Sequence, residues 1–391
     1  MALNLREEEA SESCADPKKP SHHLIKAFLS HSLSLSCTIT TTSLKMHQDR
    51  HTISNTAQQL YREVGRGSCG IVFQRPGCTY VAKRALSDDV TELWNDSQVH
   101  VALNDVLKAQ YQVPYGLKVP KCLGFQGCTN ETDRAFWHNE GAKFPHQWRS
   151  PGNLLISEYI HPLPAGIRTA LIELYCKPEL QDSAKTSPGN EHCLVRLYLG
   201  RRRRSSRPST FFSLKNFKLY LDQMRDLELD LNTIAKEMAY GLATLHWKVG
   251  VDGRDVEFVL GSESCTALRL TPPSDKDLQA LEPGKTTLPR SARLNSQNQG
   301  VSIWMLDFNQ CRRIKPDPDG VEQCVDAFFI NDPYFPRPCR DLEDDQVWTI
   351  FKLEYLKVSQ HVAGPGQSPE LAKEFINRVE VRACARAEVE P

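Results

Sequence analysis

The sequence predicts an α+β fold, on three observations. Residues 58–85 read as strand, glycine turn, strand, Pro-Gly turn, strand; residues 231–245 carry an amphipathic helix; and two apolar strands, VEFVLG and VSIWMLDF, flank a long polar, proline-rich stretch. With 391 residues, 40% hydrophobic and 25% charged, the chain can bury a sizeable core in two domains or two lobes.

Taken in order, residues 1–57 mix charge, Ser and Thr with little periodicity and are expected as a disordered tail, although LIKAFLSHSL from Leu24 has the spacing of a short amphipathic helix. Order is expected from Gln58, where QQLYREVGRGSCGIVFQRPGCTYVAKRAL forms an antiparallel meander. A helix follows, with Leu93, Val99, Leu103 and Leu107 at helical spacing, and KVPKCLGFQG and NLLISEYI add strands to a first lobe at 58–165. In a second lobe, 166–358, CLVRLYLG is a strand, and Leu231, Ile234, Ala235, Met238, Leu242 and Leu245 line one stripe of a helix. Residues 262–300 are a long loop or disordered insertion. Trp348, Phe351 and Tyr355 share a helical face and are read as core; residues 359–391 give one more helix, PELAKEFINRV, and a charged tail.

The 48 basic residues balance 48 acidic ones, so no global field favours nucleic acid or an anionic membrane. No apolar run reaches the roughly 18 residues of a membrane span, and the first residues, MALNLREEEA, are acidic where a secretory signal is basic and then apolar. An intracellular location, cytoplasmic or nuclear, is expected. Thirteen cysteines without a C-x-x-C pair read as reduced thiols and offer no zinc-ribbon or zinc-finger spacing. Arg201–Arg204 with Arg207 has the form of a localisation signal or phosphate patch; the preferred reading is that the run caps the strand CLVRLYLG.

The chemistry is carried by an ordered set of motifs. Gly65-x-Gly67-x-x-Gly70-x-Val72 joins two strands, and the third strand holds Val81-Ala82-Lys83. In such an arrangement backbone N–H groups cover a nucleotide's phosphates and the lysine meets their oxygens. The helix after it offers Glu92, Asp96 or His100 as a partner for Lys83, and spacing leaves the choice open. Downstream come Leu245-His246, then Asp252 five residues before Glu257, the strand Phe258-Val259-Leu260, and Asp307-Phe308-Asn309. An Asp followed five residues later by a metal-holding Asn is the kinase catalytic loop; Glu257 stands at the Asn position, and its carboxylate suits magnesium, which prefers oxygen. Cys69 has no adjacent His to activate it and receives no catalytic role, and His246 reads as a capping or buried histidine.

Together with VRLYLGRRR, FSLKNFKLYLDQM, VDGRDVEFVLG, WMLDFNQC and FFINDPYFPRP, these motifs resemble the protein-kinase-like and aminoglycoside-phosphotransferase-like superfamily. Within it they resemble a fungal family of unknown function often labelled zinc finger protein, over about Gln58 to Tyr355. The resemblance implies a two-lobed protein-kinase-like fold with a reduced helical second lobe and a nucleotide between the lobes. It implies ATP and magnesium as cofactors, with Asp252 as catalytic base, Asp307 and Glu257 on the metal and Lys83 on phosphates. Gly65, Gly67, Gly70 and Val72 would cover the nucleotide, and the backbone of Glu158-Tyr159-Ile160 would meet adenine. Two functions follow: a phosphotransferase acting on a small-molecule hydroxyl, or a catalytically inactive pseudokinase that binds a nucleotide or a protein partner. Gly250-Val251 stands where kinases have His-Arg, and no Ala-Pro-Glu follows Asp307, which argues against phosphorylation of protein chains.

Overall fold

The computed structural model describes residues 21–35, 38–39, 60–67, 69–87, 89–109, 115–203, 211–262, 299–338, 341–362 and 369–387. The fold is mixed α+β, built on two five-stranded sheets. Of the expected insertion, residues 263–298 lie outside the described residues, as do Arg204 and Arg207 of the arginine run.

The first sheet contains β2 (Arg62–Arg66), β3 (Gly70–Gln74), β4 (Tyr80–Ala85), β5 (Cys122–Gln126) and β6 (Leu154–Glu158), in the order β2-β3-β4-β6-β5 and antiparallel throughout. The meander read from residues 58–85 is its first three strands. Helix α2 (Thr91–Ala109) follows β4, with Leu93, Val99 and Leu103 buried. On the opposite face Tyr61, Phe73, Trp137, Phe144 and Leu154 form a small core with α3 (Glu131–Glu140). A capping box, Asn130 against Asp133, starts α3.

The second sheet has the order β1-β10-β9-β7-β8, from β1 (Thr38–Ile39), β7 (Val195–Tyr198), β8 (Phe217–Tyr220), β9 (Glu257–Ser262) and β10 (Gln299–Leu306). Strands β9 and β10 pair antiparallel with Met305 opposite Phe258, so the two apolar runs are neighbours across the insertion. Strands β7 and β8 run parallel. The chain joins the sheets at Lys118, whose N–H and C=O bond Ile303 O and Met305 N at 2.9 and 2.8 Å.

Helices α4 (Ala165–Tyr175), α5 (Gln181–Thr186), α6 (Leu221–Asp226), α7 (Leu231–Thr244), α8 (Pro318–Ile330), α9 (Leu342–Val362) and α10 (Pro369–Ala387) surround the second sheet. Helix α7 buries the expected stripe through Ile234, Met238 and Leu242 against α9, which contributes Trp348, Phe351 and Tyr355. A π turn, Leu245–Val249, ends α7 at Gly250, whose φ of 77° suits glycine. It places His246 in the core, where Nδ1 bonds Tyr355 Oη at 2.8 Å and burial lowers its pKa to about 4.

Two expectations need correction. The tail is not wholly irregular: α1 (His22–Ser32) lies within it, capped by Ser21, and packs Ile25, Leu29 and Leu33 into the main core beside α4. Tertiary burial supplies what a helix of eleven residues lacks alone. In the arginine run, Arg202 is ion-paired with Asp341 and Asp344, and Arg203 with Asp222 at 2.8 Å. The second correction concerns the cysteines: among the described residues eight are free thiols, whereas Cys384 is disulfide-bonded. No described helix is long and apolar enough to cross a membrane.

Candidate functional site

Strand alternation orients the lysine. Along β4, Val81 and Lys83 share one face and line a cleft of about 420 Å³ between the two sheets. Ala82 and Arg84 point the other way, Ala82 into the small core and Arg84 to the carbonyls of Trp148 and Ser150. Val72 stands opposite Lys83 in the ladder and lines the same cleft.

Asp96 is the partner of Lys83 that spacing left open. The ammonium is 2.7 Å from Asp96 Oδ2 on α2 and 2.6 Å from Asp307 Oδ1, just past the end of β10. Burial opposes the charge, but the two carboxylates outweigh it and hold the Lys83 pKa well above the ordinary lysine range. Asp96 also accepts from the Phe308 N–H at 3.2 Å, and Asn95 Nδ2 donates to the carbonyls of Phe308, Asn309 and Cys311. Helix α2 is thereby fastened to the turn that presents Asp307. Of the four non-glycine residues with positive φ among the described residues, Asn216, Asp255 and Asp307 line this cleft. Backbone strain of this kind persists where surrounding contacts over-determine it.

Asp252 is not in the cleft. Its carboxylate is fully buried and accepts four hydrogen bonds, from the N–H groups of Arg254 and Arg312, from Arg312 Nε and from Gln323 Nε2. Gly253 and Asp255, at φ 65° and 62°, then reverse the chain and bring Asp255 to the cleft. The Asp255 N–H donates to Asn331 Oδ1 at 2.7 Å, and Asn331 Nδ2 returns to Gly253 O, which pins the loop. Sequence reasoning did not single out Asp255: counting back five residues from Glu257 selects Asp252, whereas two left-handed residues between them turn Asp255 toward the cleft. Glu257 does line the cleft, as an ion-pair partner of Arg196. Burial raises its pKa to about 7, Arg196 opposes this, and Asp307, Asp255 and Asp332 add to it. Asp255 is likewise raised, by burial and then by Asp307 and Asp332.

At the rim, Gly65, Gly67 and Gly70 all line the cleft. A β-carbon on Gly70 would come within 2.9 Å of Arg84 O, so packing alone requires that glycine. At Gly67 it would meet nothing within 4 Å. Cys69, beside them, has its pKa raised to about 11 by burial, which leaves the thiol protonated. Glu158, Tyr159 and Ile160 line the inner wall with Leu155, Val259 and Leu306. The N–H groups of Glu158 and Tyr159 are already bonded to Lys121 O and Thr79 O, each at 2.9 Å. Among the described residues no group of three or more His, Cys, Asp or Glu side chains is placed to hold a metal ion unaided. Asp307, Asp255 and Glu257 nevertheless share one cleft, where their charges oppose one another while Lys83 and Arg196 pair with Asp307 and Glu257.

Comparison with known families matches residues 303–367 to DUF3669, a family described as zinc finger protein. The match takes in Asp307 and runs just past the end of α9, about a sixth of the chain, and is narrower than the resemblance read over Gln58–Tyr355. No curated protein matches the chain.

Proposed function

We propose that the protein has a two-lobed kinase-like fold, and that the cleft between its sheets binds ATP with magnesium and transfers phosphate to a small-molecule hydroxyl. One observation carries this reading: Lys83 sits at the cleft floor between Asp96 and Asp307, beneath the Gly65–Gly70 turn. A compact cation with a fixed carboxylate partner suits phosphate oxygens. Asp307 with Glu257 would hold magnesium, which supplies charge neutralisation on the phosphates when bound. In this reading Asp255, not Asp252, takes the role of base. Its burial and its acidic neighbours raise its pKa, toward what proton abstraction near neutral pH requires. The apolar wall of Val81, Leu155, Ile160 and Val259 suits a flat base.

A second reading, nucleotide binding without turnover, is favoured by Glu257, which is committed to Arg196. Thermal unfolding of the full chain with and without ATP, each with and without magnesium, tests the shared premise. A ligand that binds only the folded state adds about 2.7 kcal/mol at a hundredfold excess over its dissociation constant. A magnesium-dependent shift, lost in Asp307→Asn, is the expected result; no shift at millimolar ATP refutes the cleft assignment. Phosphate release or acceptor phosphorylation that disappears in Asp255→Asn separates turnover from binding.

A further inference from the structure

Resting on the nucleotide reading of this cleft, we propose that His100 is a specificity-determining residue that accepts a hydrogen bond from the exocyclic amine of an adenine-type base. His100 lies one helical turn beyond Asp96 on α2, on the same face, and lines the cleft with Pro120, Leu155 and Ser157. It is 4% exposed. Its Nε2 bonds the carbonyl of Pro120, which can only accept, so the ring proton is on Nε2. Asn104 Nδ2 reaches the same carbonyl at 3.1 Å, and Phe308 meets the ring edge to face at 5.5 Å, so the ring is held from two sides.

This leaves Nδ1 as a bare acceptor, and among the described residues it has no hydrogen-bond partner. Burial lowers the His100 pKa, so the ring stays neutral and the lone pair stays available. A buried acceptor without a partner is unfavourable, and a ligand that brings a donor removes the penalty. Phosphate oxygens are acceptors and would be repelled; the donors a nucleotide offers are its sugar hydroxyls and the amine of its base, and the place of His100 in the cleft favours the base. The position agrees. Ser157 directly precedes Glu158-Tyr159-Ile160, the segment assigned to the base, and lines the same cleft as His100. The 6-amino group of adenine donates; the 6-oxo group of hypoxanthine is an acceptor and sets lone pair against lone pair.

The test compares ATP with inosine triphosphate, which carries that 6-oxo group, by calorimetric titration with magnesium in the wild-type chain and in His100→Phe, which keeps the ring and loses both nitrogens. We expect wild type to prefer ATP by about tenfold or more, and the variant to hold the two within about threefold. A preference unchanged in His100→Phe assigns the discrimination elsewhere and overturns the proposal while leaving the cleft reading intact. Binding of neither nucleotide to wild type overturns both. Should His100→Phe fail to fold, imidazole nitrogen NMR of the wild type decides: the Nδ1 resonance shifts with ATP and not with inosine triphosphate, and equal behaviour refutes the inference.

Discussion

Replacing Lys83 with methionine removes a cation from between two carboxylates while keeping most of the side-chain volume. Nζ is 2.7 Å from Asp96 and 2.6 Å from Asp307, so these two carboxylate oxygens are at most about 5.3 Å apart. At an effective dielectric constant near 20, like charges at that separation repel by about 3 kcal/mol. That is comparable to the usual cost of breaking a buried pair by deleting one partner, about 3–5 kcal/mol. Lys83→Met is therefore expected to lose about 3 kcal/mol in urea unfolding at pH 8. The sign of the pH dependence follows. The wild-type lysine pKa is raised, so its stabilisation is complete throughout pH 5–8 and contributes no slope there. In the variant the two carboxylates hold a proton more tightly folded than unfolded. The penalty is present at high pH and relieved as pH falls through that raised value, so the gap to wild type narrows toward pH 5. Millimolar magnesium at pH 8 narrows it too, by standing between the same oxygens. An equal loss at pH 5 and pH 8, untouched by magnesium, would refute the reasoning, since a packing defect alone behaves that way.

The other expectations are briefer. Gly70→Ala must displace the Arg84 carbonyl or Lys83 and should cost about 1–3 kcal/mol, whereas Gly67→Ala should unfold with wild type yet weaken ATP; equal unfolding of the two variants counts against the contacts described. Glu257 has its folded pKa raised from 4.5 to about 7, so its contribution to stability falls as pH rises from 4.5 toward 7, by at most ~1.4 kcal/mol per pH unit; Glu257→Gln should therefore gain on wild type between pH 5 and pH 8 in urea titrations, and parallel curves would dispose of the shift. Asp252→Asn loses acceptors for buried donors and should cost about 1–3 kcal/mol without altering nucleotide affinity below its unfolding midpoint, as calorimetry would show; Asp255→Asn should leave stability equal or improved at neutral pH. Leu29→Ala on α1 should cost about 2–5 kcal/mol, because the side chain is fully buried; a wild-type midpoint would mean that the helix does not dock.

The parts of the site that were legible in the sequence are those fixed by strand geometry. Period-two alternation decides which way Lys83 points once β4 is recognised, and the hydrophobic run of β10 delivers Asp307 at its end. A helix is less decisive. Glu92, Asp96 and His100 recur at four-residue steps and share a face, so spacing cannot say which of them stands level with Lys83. That height is set by tertiary contacts, here by Asn95 reaching the carbonyls of residues 308–311. The α1 helix shows the same dependence, since its apolar face needs α4 to settle on.

The Asp252 and Asp255 outcome comes from a third kind of ambiguity. Motif spacing counts residues, and it maps to direction only while the backbone stays in one basin. Gly250, Gly253 and Asp255 are all left-handed, and each such residue changes where the next side chain points. The glycines hint at this, but Asp255 does not: an aspartate at φ 62° is held there by its bond to Asn331, seventy-six residues away in the chain. The neighbouring carboxylates then divide the work. Asp252 spends its four acceptor sites keeping residues 254 and 312 together, and that rigidity is what permits Asp255 to remain strained at the cleft. If so, the two residues are coupled: Asp252→Asn should loosen Asp255 before it unfolds the chain. The effects of the two substitutions on nucleotide turnover should then be less than additive, as a double-mutant cycle would measure.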